Sequence, residues 1–346
     1  MLAIFKGMSL LVLTLILFSG FSLKAKKGDK AMSGLAGAAV ATFLVEAIHK
    51  YISGDFLGIS FLGDVGSASG SMGGVISAIL VGINMGINPI YAVVAGAAMA
   101  GLGILPGFIG GYIVALITPT LEKKLPKGVD IILGALLIAP FARLIGVVST
   151  PLVDSTLLSI GDMIQFAATQ SPYLMGFLLG GIMKIMCTSP LSSMALTAML
   201  GLKGLAMGIA SIASFAGAFT NGIVFSRLKL GKEGSTIAVM LEPLTQADVI
   251  TKNPLPVYIS DFIGGGLGGV VAAYLGIVNN APGTASPIPG MLAPFGFNAP
   301  SKVVLALSLA ALGGIIGGYV GTYIYTVYNR LKSIRASKRK QKLVID

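Results

Sequence analysis

The stretch VMLEPLTQADVITKNPLP, residues 239–256, places two carboxylates, Glu242 and Asp248, in a chain that is otherwise largely apolar. Glu242 directly precedes Pro243, where a helix breaks and leaves backbone groups free for water or solute. An ionised carboxylate accepts charge-assisted hydrogen bonds, so its two oxygens can grip the hydroxyls of a polyol or sugar. Thr245, Gln246 and Asn253 add neutral donors and acceptors on the same segment. The competing reading of Glu242 is a stabilising cap or an interhelical hydrogen bond. A substrate role is favoured because ionisable groups at membrane depth are expensive and are by default functional.

Each charge at the bilayer centre costs about 2.5–3.5 kcal/mol on insertion scales, so the few others need reasons as well. Lys184, in LLGGIMKIMCTSP, and Arg143, in LLIAPFARLIGV, can each offset a carboxylate or bind an anionic solute. Snorkelling to an interface is the alternative for both. Glu46 and His49 lie three apart on one helix face near its end, which reads as an interfacial pair. No catalytic residue is assigned. With one cysteine, Cys187, and one histidine, His49, the chain has no internal disulfide and no Cys/His cluster of zinc spacing, so no metal is expected.

The elements that must position these groups are transmembrane helices. The 346 residues are 55% hydrophobic and only 11% charged, against about 25% charged in an average soluble domain. The apolar runs at 2–23, 131–148 and 303–327 match or approach the about 20 helical residues that cross a bilayer. We expect an all-α polytopic membrane protein with about ten crossings. They fall near 2–23, 31–52, 71–86, 89–103, 105–120, 129–148, 173–187, 203–226, 257–278 and 303–327. The first run lacks a basic start and a cleavage site and reads as a retained helix. Segment 149–172 reads as an amphipathic or interfacial helix, and 188–200 is the hardest to place. The regions around 235–254 and 281–300 are too rich in Pro, Gly, Ser and Asn to span, and both read as re-entrant hairpins.

The net charge of +11 is distributed as a topology signal. Basic residues gather at 24–30, 122–128 and 226–234, and in the tail at Arg330, Lys332, Arg335, Lys338, Arg339, Lys340 and Lys342. These are short segments beside apolar runs, which places them and the C-terminus in the cytoplasm. The expected partners of this charge are membrane lipids and not nucleic acid. One membrane-embedded domain over 1–332 and a basic cytoplasmic tail over 333–346 follow. Glycine-rich runs such as IGGGLGGVVAAYLG, 263–276, lack the preceding strand and following acid of a dinucleotide fingerprint. They read as close helix packing, and no cofactor is expected.

Residues 105–300 resemble the membrane IIC domain of bacterial phosphotransferase-system sugar permeases, especially the fructose-type branch. GFIGGYIVALITPTLEKKLPKGVDIILGALLIAPF is similar to that branch's helix, basic Leu-Pro-Lys loop and next helix. AVMLEPLTQADVITKNPLPVYISDFIGGGLGG is similar to its segment with a Gly-Ile-Thr-Glu motif, an Asp-Pro-Leu turn and a glycine-rich helix. Glu242 falls on the motif's glutamate and Asn253, Pro254 and Leu255 on the turn, while Val239, Met240 and Leu241 replace its first three residues. In NNAPGTASPIPG, Ala281 and Pro282 match an Ala-Pro-His-Gly-Gly pattern, and Gly283 stands where the histidine would be.

The resemblance implies a bacterial plasma-membrane permease that binds and translocates a small polar, sugar-like solute, with a homodimeric assembly. In that family a separate phospho-IIB donates the phosphoryl group, so any enzyme activity implies IIA and IIB proteins acting in trans. Glu242, Thr245, Gln246, Asn253 and Lys184 are the expected substrate-binding set. A divergent group of stand-alone IIC-like proteins, some labelled toxin-gene regulators, shares this layout. The alternative function is therefore a membrane sensor that keeps the fold without transport or phosphotransfer.

Overall fold

A computed structural model describes residues 2–189 and 193–345, and among them every regular element is helical. That outcome follows from solvent: an apolar environment offers backbone groups no water, and helices satisfy them within one segment. In chain order the α-helices are α1 (Leu2–Lys24), α2 (Gly28–Ala39), α3 (Ser60–Ser71), α4 (Gly73–Met85), α5 (Pro89–Ala98), α6 (Ile104–Lys124), α7 (Asp130–Val153) and α8 (Ser159–Gln170). There follow α9 (Pro172–Thr188), α10 (Ser193–Met199), α11 (Gly204–Leu228), α12 (Ser235–Leu241), α13 (Ala247–Lys252), α14 (Pro254–Tyr274), α15 (Pro287–Leu292) and α16 (Pro300–Ile345).

Seven stretches are long and apolar enough to cross a membrane: Phe5–Lys24, Gly28–Asp55, Ile104–Lys124, Asp130–Gln170, Gly204–Leu228, Pro254–Tyr274 and Pro300–Ser333. An eighth arises if α3 and α4, bent by 59° at their junction, form one span. The two other expected crossings fall on shorter apolar helices, α5 and α9. Segment 149–172 is not separate from its neighbour. A π-helical turn, Asp154–Leu158, carries α7 into α8, making 41 continuous helical residues. The polarity of Asp154, Ser155 and Thr156 hid that continuity, yet Thr156 Oγ1 donates to Leu152 O at 2.6 Å and folds its hydroxyl back onto the helix.

The regions expected as hairpins are broken helices. Around 235–254, α12 stops at Glu242, a 3-10 turn covers Pro243–Gln246, and α13 resumes. Around 281–300, a loop leads into α15 and a second 3-10 turn, Ala293–Gly296. Within 188–200, α10 is a short helix, and residues 190–192 lie outside the described residues.

Side chains pack into two main cores. One joins α4, α5, α6 and α7 with α2, and the other joins α8, α9, α11, α14 and α16. Met194, Ala195 and Met199 of α10 belong to the first and Leu196 to the second, so this short helix bridges them. In the second core α14 runs antiparallel to α9, α11 and α16 through glycines. An added Cβ at Gly180 would lie 2.6 Å from Gly265 O, and one at Gly268 2.5 Å from Ala216 Cβ. Small residues at such crossings let backbones approach, which is how helices associate where the hydrophobic effect offers little.

Two contacts gather one end of the first core. Lys27 Nζ donates to Met85 O at the end of α4, and Tyr91 OH donates to Asp130 O at 3.0 Å. The basic loops at 24–30 and 122–128 therefore share an end, as a common topology signal requires.

Candidate functional site

Four side chains from three helices meet in the interior of the second core. Lys184 and Thr188 stand one turn apart on α9, Asn221 lies on α11 and Asp261 on α14, and all four are fully buried. Lys184 Nζ is 3.9 Å from Asp261 Oδ1. Thr188 Oγ1 donates to Asp261 Oδ2 at 2.7 Å. With its amide nitrogen turned to Asp261, Asn221 donates to Oδ1 at 3.0 Å, and its oxygen accepts from Lys184 Nζ at 3.0 Å. The lysine stem fits because Gly217 and Gly265 flank it; a Cβ at either would overlap its methylenes. The group is neutral as a whole and internally hydrogen-bonded, the condition under which charge can stay buried.

The second polar centre is at the break after α12. Glu242 adopts an extended conformation, φ −149° and ψ 101°, and is half-buried. Its Oε1 accepts from Leu244 N at 3.4 Å and its Oε2 from Ser286 Oγ at 3.5 Å. Both contacts sit at the long limit of a hydrogen bond, so the carboxylate keeps capacity for a stronger partner. Ser286 is delivered by a loop built on the buried Asn279. That side chain donates to Ser211 Oγ at 2.7 Å and Thr284 Oγ1 at 2.8 Å, and accepts from Ala281 N at 2.9 Å. The two broken regions thus converge on one carboxylate.

Glu242 borders a cavity of about 510 Å³. Its other walls are Ser33, Ala36 and Gly37 of α2, Val40 just beyond, Met194 of α10, and Leu244 and Ala247 of the broken segment. Lys184 lies within electrostatic reach of Glu242, although its ammonium is spent on Asp261 and Asn221. Thr245 Oγ1 donates to Glu242 O at 2.8 Å and Gln246 Nε2 to Thr245 O at 3.0 Å, so both fix the turn while their oxygens stay available as acceptors. Asn253 donates to Val249 O at 3.0 Å, closing α13, and it is not among the described residues that line this cavity.

Other groups singled out in the sequence have local partners. Arg143 donates to Ala98 O at 3.1 Å and Ala100 O at 2.7 Å, neutralising carbonyls at the end of α5. Glu46 pairs with Lys50 at 3.0 Å, one turn on, and not with His49. Gly283 has φ +80°, and a Cβ there would lie 2.7 Å from Phe43 Cδ2, so backbone and space both select glycine. Sequence reasoning missed Asp261, Asn221, Thr188 and Ser286. For Asp261 the signal was present: it is the sole charge between Pro254 and Tyr274.

Long apolar helices, two broken segments and polar groups gathered where they meet define a multi-pass membrane protein of the solute-translocating kind. The family model described as phosphotransferase system, EIIC matches residues 29–339, and the chain belongs to that family. It is accordingly a phosphotransferase-type membrane permease. No curated protein and no solved structure matches the chain.

Proposed function

We propose that the chain binds a small polar, sugar-like solute at Glu242 and carries it across the bacterial plasma membrane by alternating access. Residues 1–332 act as one membrane unit, and the tail from 333 lies in the cytoplasm. The observation that carries this reading is the half-buried Glu242 carboxylate, weakly engaged at a helix break beside a cavity of about 510 Å³. Sites of about 300–1,000 Å³ suit small molecules. Thr245 and Gln246 offer acceptor oxygens next to it, Asn253 closes the segment, and Lys184, the remaining expected member, is held by Asp261 and Asn221 in the neighbouring buried cluster.

The test is a thermal-shift screen of the purified protein against monosaccharides and polyols, since a ligand that prefers the folded state stabilises it. A hit is then measured on Glu242→Gln. The expected loss of affinity is tenfold or more, because a hydrogen bond to a charged group is worth about 1.5–3 kcal/mol. Wild-type affinity in a well-folded variant removes Glu242 from the site.

A second reading, a membrane sensor without transport, draws on α16, which continues as a helix to Ile345, far past the apolar stretch. Family membership also makes IIA and IIB proteins candidate partners in trans. Sugar phosphorylation that requires added phospho-IIB and membranes containing this protein supports that partnership.

A further inference from the structure

Between the outer faces of α6 and α7 lies an open groove of about 480 Å³. Leu116, Ile117 and Leu121 line one wall and Leu137 and Phe141 the other, with Lys124 at one end. From Leu116 to Lys124 the helix rises about 12 Å at 1.5 Å per residue. That is close to the about 15 Å hydrocarbon depth of one leaflet. The groove therefore runs from mid-bilayer to a membrane boundary and carries its cation only at the boundary.

Lys124 is exposed, and the ion pairs among the described residues, Lys50–Glu46 and Lys184–Asp261, do not include it. Lys123 shares the last turn of α6 with it, and Lys127 follows in the connection to α7. Of the two acids nearby, Asp130 accepts from Gly128 N at 3.1 Å and so serves its own turn, while Glu122 precedes the lysines. An apolar trough one leaflet deep, ending in a free ammonium within a basic loop, matches an acyl chain joined to an anionic headgroup. Lys124 also belongs to the 122–128 topology signal, but among the lysines of that segment it alone lines the groove, so trough and cation are presented to one ligand together.

We propose that this groove is a binding site for one anionic phospholipid, with an acyl chain along Leu116, Leu121, Leu137 and Phe141 and the headgroup phosphate at Lys124. The site is separate from the Glu242 cavity, and the proposal does not depend on which solute that cavity takes.

The test is native mass spectrometry of the delipidated protein titrated with phosphatidylglycerol, and in parallel with phosphatidylcholine and with glycerol phosphate. Two variants are compared. Lys124→Gln removes the charge from an exposed position, and Leu137→Trp fills the groove from a side chain that is 52% exposed. The expected result is one phosphatidylglycerol bound more tightly than phosphatidylcholine, with no binding of glycerol phosphate. Lys124→Gln should weaken phosphatidylglycerol about fivefold, the value of one basic residue at the surface. Leu137→Trp should abolish the tight site with the charge intact. Equal affinity for both lipids, or unchanged binding in both variants, overturns the proposal. So does a wild-type dimer that Leu137→Trp converts to monomer, because a second copy then fills the groove.

Discussion

Lys184 and Asp261 face each other at 3.9 Å where the C-terminal half of α9 packs on α14, with Asn221 and Thr188 completing their hydrogen bonds and none of the four exposed. A neutral pair of this kind adds little stability compared with apolar residues of the same size, but either partner alone is costly.

Replacing one partner should therefore be worse than replacing both. We expect Lys184→Met or Asp261→Leu to destabilise the purified protein by about 3–5 kcal/mol. The double variant should recover most of that loss. Denaturant unfolding in mild detergent reads it directly. Additive losses in the double variant would mean that the pair is not coupled.

The glycine contacts give a second prediction. Gly265→Ala puts a methyl onto the Lys184 stem and 2.7 Å from Gly180 O, so it should cost about 1–3 kcal/mol by overpacking. Gly20→Ala in α1 is the control, because nothing lies within 4 Å of its added Cβ and alanine favours the helix. Similar thermal stability for the two variants would contradict the packing described.

Orientation is checked by labelling introduced cysteines in a Cys187→Ser background; the native thiol is itself buried. Lys26, Lys127 and Lys232 are exposed, and cysteines there and at position 338 should react with an impermeant reagent only from the cytoplasmic side. Labelling of position 127 or 232 in intact cells would reverse the proposed topology.

Deleting residues 333–346 separates the two functional readings. A permease should keep ligand affinity and uptake, because the remaining basic loops still fix orientation. A sensor should keep affinity and lose its ligand-dependent cytoplasmic response. Affinity, uptake and response are all read on the same truncated protein.

The membrane character, the helical class and both broken segments were legible because apolar run length and proline placement follow directly from bilayer physics. Lys184 and Glu242 were legible for the same reason, as charges where charge is costly. The partners were not: that Lys184 meets Asp261, or Glu242 meets Ser286, depends on how α9, α11, α14 and the 279–286 loop pack, and no local pattern encodes that. The continuity of α7 into α8 was obscured because serine and threonine hydroxyls read as polar in sequence yet bond to their own helix.

Gly283 carries a consequence for its neighbour. The fructose-type resemblance places a histidine at this position, but the left-handed backbone strains a side chain there and an added Cβ would crowd the Phe43 ring at 2.7 Å. A histidine introduced at 283 would meet both the strained turn and the Phe43 ring. The glycine thus ties its own turn to residue 43, because a side chain at 283 and the Phe43 ring compete for one space.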